Sequence, residues 1–301
     1  RVKLGAMAEP GPKGEGLATD AGASKGSEGE TKVNFLVVGM QKAGTSWIYK
    51  MLEAHPGVAL SMEKEVHYWD MHKEKGKDDR WYDAQFPQEV EGKVVGEVTP
   101  DYLSMWMNRV GEIHRYNPKM KIIILYRDEV DRAWSAFLMW NRINKVSVEE
   151  MTEDEVFEKL SGAYYMSRSD LGEGLTNFVN LFGEDQVMVA DFKDVAERPQ
   201  HLMNVVFDFL GVQRLAIEEG KLKTNFQILS DRTAVVENKR NSAPDGLKVK
   251  LQERLADHYR DMKRKNKKVA KGFLERYREA IRRSEGAAGS GTTTTTTTTS
   301  K

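Results

Sequence analysis

The stretch Glu63-Lys64-Glu65-Val66-His67-Tyr68-Trp69-Asp70 gathers three carboxylates and a histidine, the side chains from which general acid–base catalysis is drawn. If this segment is extended, Glu65 and His67 point the same way, so His67 can orient a substrate or share a proton with Glu65. Upstream, Gly39-Met40-Gln41-Lys42-Ala43-Gly44-Thr45-Ser46-Trp47 offers different chemistry. Its glycines let a backbone turn present N–H groups, Lys42 adds an ammonium, and Thr45 and Ser46 add hydroxyls. That set binds an anion, as helix N-termini preceded by glycine loops do for phosphates. It is not a Walker A loop, in which the lysine directly follows the second glycine of G-x-x-x-x-G, because Lys42 precedes Gly44. A nucleotide is expected, and ordinary triphosphate hydrolysis is not. A third candidate is Arg127, whose guanidinium fork matches phosphate oxygens. A helix starting near Asp128 places Asp128 and Ser135 on one face, so Arg127 and Ser135 can grip one phosphate together.

Each feature also has a plainer reading. A charge run such as 63–70 is usually a solvated face, Tyr68 and Trp69 are core or stacking residues, and Arg127 can pair with Asp128 or Asp131 at a strand end.

The elements that must position these groups alternate between strand and helix. Phe35–Val38, Val94–Val98, Lys121–Tyr126 and Val187–Asp191 are apolar runs of strand length. Ser46–Ala54 reads as a helix stopped by His55-Pro56-Gly57, a second amphipathic helix runs from Asp128 to about Arg142, and Pro199–Leu210 is a helix capped by Gly211. The order predicts one α/β domain with a mainly parallel central sheet flanked by helices. Ligands of such sheets sit beyond the carboxyl ends of the strands, where both phosphate contacts fall. A further helical stretch covers Leu247 to about Lys263.

Composition sets the outer limits. The 301 residues, 40% hydrophobic, suffice for one sizeable core. Lys plus Arg and Asp plus Glu are equal at 46 each, which argues against a nucleic-acid partner. The absence of cysteine excludes disulfides, thiolate nucleophiles and cysteine-ligated zinc. Residues 1–31 read as a disordered lead, 32–283 as the folded domain, and 284–301, with its threonine run, as a low-complexity tail. No segment reaches the length of an apolar membrane helix and 1–31 holds no signal-peptide core, so the chain as given reads as soluble. Because it begins with Arg1, an upstream signal or anchor stays open, and the compartment is unknown from the sequence.

The segment Gln41-Lys42-Ala43-Gly44-Thr45-Ser46-Trp47 resembles the 5′-phosphosulfate loop of sulfotransferases that use 3′-phosphoadenylyl sulfate (PAPS), and Arg127 with Ser135 is similar to their 3′-phosphate site. Glu65-Val66-His67-Tyr68-Trp69-Asp70 resembles the stretch of the heparan sulfate glucosamine 3-O-sulfotransferase-like branch whose first glutamate is the catalytic base. Gly96-Glu97-Val98-Thr99-Pro100-Asp101-Tyr102 resembles another family element, with Val98 where that branch has a lysine. Asn238-Lys239-Arg240-Asn241 stands near the place of a basic loop that closes over the nucleotide, with Arg240 in the position of a glycine. The heparan enzymes also have a disulfide-bonded hairpin just upstream; in a chain without cysteine that element is missing or replaced by Thr224 to Arg232.

The resemblance implies a P-loop-like sulfotransferase fold, PAPS as co-substrate, no metal, and in-line sulfuryl transfer to a hydroxyl or amino group of an acceptor, expected to be a carbohydrate. Glu65 would be the base, Lys42 and His67 its partners in catalysis. The nucleotide would be held by Lys42, Ala43, Gly44, Thr45, Ser46, Trp47, Arg127, Ser135, Lys239 and Arg240. The acceptor pocket would come from loops such as 66–86 and 140–170. Two rivals remain. A small-molecule kinase with a variant phosphate loop needs a magnesium carboxylate, for which Asp128 is the candidate. A non-catalytic module would bind glycans without turnover.

Overall fold

In the computed structural model residues 33–218 and 246–289 are described. The expected strands form at Phe35–Gly39 (β1), Val94–Val98 (β3), Lys121–Tyr126 (β4) and Val187–Asp191 (β5). They are joined by a short strand missed in the sequence, Val58–Leu60 (β2). All pair in parallel in the order β2-β3-β1-β4-β5. Every residue of β1 is buried, as a central strand covered on both faces requires. In space β1 lies between β3 on one side and β4 on the other. Their carboxyl ends therefore bound the crevice where an open α/β sheet holds its ligands.

Three helices bear directly on that crevice. Thr45–Glu53 (α1) leaves the loop after β1, and buries Trp47, Ile48, Met51 and Leu52. Glu129–Ile143 (α4) follows β4, with Asp128 as its N-cap. Arg260–Gly289 (α11) packs on β5, on Leu171–Phe182 (α7) and on Pro199–Leu210 (α9), which ends at Gly211 in the left-handed conformation. The expected single stretch 247–263 is two helices, Leu247–His258 (α10) and α11, divided at Tyr259. The α11 helix also runs past residue 283, where the tail was expected. The hydroxyl of Ser284 takes a hydrogen bond from Asn204 at 3.0 Å and lies 3.1 Å from His201 Nδ1.

A second apolar cluster, with Phe137, Val156, Leu160, Tyr165, Leu251 and Tyr259 in it, joins α4 to α10 and to two helices at Glu153–Ser161 (α5) and Ala163–Ser169 (α6). Full burial of one such leucine stabilises by roughly 1.5–3 kcal/mol. Arg132 is wholly buried there and holds α4 to α6, donating to Ser169 Oγ at 2.7 Å and the Tyr165 carbonyl at 2.9 Å. Most of 140–170 is thus helical rather than the loop expected, because its apolar residues repeat at helical spacing. Segment 66–86 likewise contains a π-helical turn at Tyr68–His72 and a short helix at Asp79–Asp83 (α2). No described helix is long and apolar enough to cross a membrane.

Candidate active site

The loop after β1 is fixed at both ends. Met40 N–H donates to the Leu125 carbonyl of β4 at 2.9 Å. At the other end Gly44 caps α1 with φ 88°, where a side chain is strained, and a Cβ there would sit 3.2 Å from Val195 Cγ2. Helix geometry leaves the first amides of α1 without intrahelical acceptors. Ser46 is exposed beside them and Thr45 is buried. Ala43 and Trp47 are buried as well, and their N–H groups donate to the Met40 carbonyl at 3.1 Å and the Gly44 carbonyl at 2.9 Å.

Lys42, itself at φ 67°, is half-buried. Among the described residues its Nζ finds a thioether rather than a carboxylate, donating to Met139 Sδ at 3.3 Å. Burial, then the guanidinium groups of Arg142 and Arg127, push its pKa down from 10.5 to about 8, against a smaller pull from Glu65. An ammonium held among cations and away from water is poised for an anion.

Arg127 braces this loop. Its Nη1 donates to the Lys42 carbonyl at 2.6 Å and its guanidinium lies 4.5 Å from the Phe192 ring centre. Ser135, Met139 and Arg142 share one face of α4, at the i, i+4 and i+7 positions. The Met139 contact turns that face toward Lys42, with half-buried Ser135 at one end and exposed Arg142 at the other. Arg142 was not singled out in the sequence. The same seven-residue spacing that linked Asp128 to Ser135 would have found it from Ser135.

Asp128 accepts from the Val130 and Asp131 amides at 3.0 and 3.2 Å and from Lys263 Nζ at 2.6 Å. A carboxylate so engaged caps a helix and neutralises a lysine. It does not present free oxygens to magnesium.

The acid–base segment comes to the same end of the sheet by an unexpected route. It is not extended: Glu65 and His67 have φ of 65° and 52°, both left-handed. Their side chains still meet, with His67 Nε2 3.9 Å from Glu65 Oε2. Glu65 also pairs with Lys64, and His67 Nδ1 stands 2.8 Å from Asp70 Oδ2. Burial alone would raise the Glu65 pKa, but the positive charges of His67 and Lys64 beside it overcome that and hold the carboxyl at about 2. Asp70 and then Glu65 raise His67 to about 10. Glu65 is therefore a carboxylate and His67 an imidazolium at neutral pH. Of the two roles expected of His67, orienting the acceptor and sharing the proton, the raised pKa favours orienting and donating. His67, Asp70 and Asp101 offer ligand atoms within 4.8 Å of one another. A protonated His67 disfavours a metal there, and Asp101 is paired with Arg168 at 3.1 Å.

Lys239 and Arg240, and residues 224–232, lie outside the described residues.

Comparison with known proteins identifies the frame on which these groups sit. Residues 32–271 match the family model described as "Sulfotransferase domain". Carbohydrate sulfotransferase 15 of Mus musculus is 24% identical over 258 residues, covering 64% of this chain and 46% of the relative. Heparan sulfate glucosamine 3-O-sulfotransferase 6 of Homo sapiens is 30% identical over 128 residues, 42% of this chain and 34% of the relative. Heparan sulfate glucosamine 3-O-sulfotransferase 3A1 of Mus musculus is 26% identical over 229 residues, 71% and 56% of the two chains. The chain thus spans between about a third and just over half the length of these relatives. A crystal structure of a sulfotransferase from Alicyclobacillus acidocaldarius superposes with a TM-score of 0.61 at 22% identity, covering 83% of this chain and 100% of that one. At that identity the likeness speaks for the fold alone.

Proposed function

The chain belongs to the sulfotransferase family, and we propose that it transfers the sulfuryl group of PAPS to a hydroxyl or amino group of a carbohydrate. The observation that carries this reading is Lys42: a half-buried ammonium, depressed toward neutrality, set at a helix N-terminus, with a thioether for its partner. An anionic donor satisfies all of these at once. Lys42, the amides and hydroxyls of Thr45 and Ser46, and the backbone of Ala43, Gly44 and Trp47 would hold the 5′-phosphosulfate. Arg127 and Ser135 would take the 3′-phosphate, and Lys239 and Arg240 would close over the nucleotide.

In the reaction an acceptor oxygen or nitrogen attacks sulfur in line, and the bond from sulfur to the 5′-phosphate oxygen breaks. The acceptor proton passes to Glu65, and adenosine 3′,5′-bisphosphate departs with its new charge facing Lys42. Glu65 is ionised and ready to accept. Its low pKa makes it a weak base until the acceptor displaces Lys64 and excludes water, which raises its basicity. His67 supplies charge and orientation.

A carbohydrate acceptor is supported by the relatives, named for carbohydrate and heparan sulfate glucosamine sulfation. Val98, in the place of the lysine of the heparan branch, is buried in β3 and bears no charge for an acidic sugar. The kinase reading is disfavoured by the engagement of Asp128 with its cap amides and Lys263. The deciding experiment screens oligosaccharides, phenols, hydroxy acids and amines with sulfur-labelled PAPS, without added metal. Label in an oligosaccharide is expected. Glycan retention with no transferred label would establish a binding module instead, and magnesium-dependent transfer of phosphate from ATP would establish a kinase.

A further inference from the structure

Glu97, on β3, is wholly buried, and among the described residues its hydrogen-bond partners are hydroxyls rather than a cation. Oε1 accepts from Tyr82 OH at 2.6 Å and Tyr102 OH at 3.0 Å, and Oε2 accepts from Thr99 Oγ1 at 2.7 Å. The Tyr102 oxygen in turn accepts the Tyr68 N–H at 2.9 Å and lies 3.5 Å from the Trp69 nitrogen. Those two amides directly follow His67. At the other end of the segment, Glu65 N–H donates to the Val98 carbonyl at 3.2 Å.

The turn bearing the carboxylate and the imidazolium is therefore slung between two points on β3. One is the β3 backbone itself; the other reaches β3 through Tyr102 and Glu97. Between them lie two left-handed non-glycine residues, Glu65 and His67, a conformation that persists only where the surroundings over-determine it.

We propose that Glu97 is a positioning residue for Glu65: by fixing the Tyr102 hydroxyl so that it accepts the Tyr68 amide, it holds in place the strained turn that carries the base. Its kinetic consequence rests on the proposed sulfuryl transfer. Its geometric consequence does not.

The arrangement makes the site sensitive to mild acid. Burial pushes Glu97 up to about 6, with the Tyr82, Thr99 and Tyr102 hydroxyls drawing it back and the nearby Asp70 charge adding to the rise. The groups facing it are Tyr82 from α2, Thr99 at the end of its own strand, Tyr102 from the turn Pro100–Ser104, and Asp70 from the turn Tyr68–His72. Both phenols are raised well above their ordinary range and stay neutral. Once protonated, Glu97 becomes a donor, one of the three hydroxyls must reverse its role, and the hold on Tyr68 loosens. Glu65 at about 2 and His67 at about 10 do not titrate in this interval. His72, on the same turn, is lowered from 6.5 by burial, and a Glu97 variant separates any effect of it from that of Glu97.

The test compares the whole protein with Glu97→Gln and Tyr102→Phe. It reads kcat from pH 5 to 8, affinity for adenosine 3′,5′-bisphosphate, and the nitrogen-15 resonance of the Tyr68 amide. In the parent, kcat falls and the Tyr68 signal shifts with a midpoint near 6. In Glu97→Gln both transitions vanish and kcat at pH 7.5 drops about 10-fold, the scale of a sub-ångström misplacement, while nucleotide affinity holds. Tyr102→Phe, which leaves Glu97 two donors, shows the same loss of kcat and keeps the test open if Glu97→Gln does not fold. Parental kcat in either variant, an acid limb that survives in Glu97→Gln, or a Tyr68 signal indifferent to pH in the parent would overturn the inference. If the parent transfers no sulfate to any acceptor, the proposed function falls, and the Tyr68 titration still decides the role of Glu97.

Discussion

Binding of adenosine 3′,5′-bisphosphate should draw a proton onto Lys42, by an amount that depends steeply on pH. Burial and the neighbouring guanidinium groups hold the Lys42 pKa at about 8 against an ordinary 10.5, so its surroundings oppose the charge by about 3 kcal/mol. A phosphate beside the ammonium reverses that opposition and raises the pKa again. The sign follows. Below about 8 the lysine is already charged and binding takes up little; above it the free lysine is neutral and binding must protonate it. With a free pKa of about 8, uptake should be about 0.1 proton per nucleotide at pH 7 and about 0.75 at pH 8.5. The phosphates themselves are fully ionised at the higher pH. Affinity should fall as pH rises through about 8, approaching tenfold per unit. Calorimetry in two buffers of different ionisation enthalpy measures the uptake directly. Lys42→Met should abolish the pH-dependent uptake and weaken binding. Uptake that stays near zero at pH 8.5, or that persists unchanged in Lys42→Met, would refute the placement of an anion at Lys42.

Three further outcomes follow from the same geometry. Glu65→Gln should lower kcat by about 10² or more while leaving nucleotide affinity intact; single-turnover transfer from labelled PAPS gives the comparison, and undiminished turnover would remove Glu65 from the base role. Gly44→Ala should cost about 1–3 kcal/mol in denaturant unfolding, because φ 88° and the Val195 contact at 3.2 Å both resist a Cβ. Arg142→Ala removes the largest charge acting on Lys42, so the pH midpoint of nucleotide binding should move upward, and a fixed midpoint would show that Arg142 does not share the field of the site.

The sheet was legible because β1, β3, β4 and β5 are apolar runs flanked by turn signals, and a strand buried on both faces leaves that mark. The three residues of β2, by contrast, give too short a period to register beside His55-Pro56-Gly57. The loop at Lys42 and the cap at Asp128 could be read because glycine and aspartate act locally, through φ and through hydrogen bonds to nearby amides. The conformation of 63–70 could not be read. Left-handed Glu65 and His67 are imposed by Tyr102 and Val98, more than thirty residues away in sequence, and local preference disfavours the result. The reach of α4 over Lys42 and the Lys263 bond to Asp128 are also tertiary. They depend on which faces of two helices the core buries, and the single helix expected over 247–263 gave no hint of the partner.

The long closing helix reaches back further than its position suggests. Asn266 accepts the Gly172 N–H at 2.7 Å and donates to Glu129 Oε1 and the Ser169 carbonyl, each at 2.8 Å, while one turn earlier Lys263 neutralises Asp128. Three separate helices are thereby riveted by side chains made long after the segment that bears Lys42 and Glu65. During translation, sheet and glycine bend can assemble early. The wall bearing Asp128 and Glu129, however, lacks its fastening until ribosomes have passed residue 266. A nascent chain halted before that point would carry every residue assigned to the reaction in the amino-terminal half and still present an unfinished nucleotide crevice.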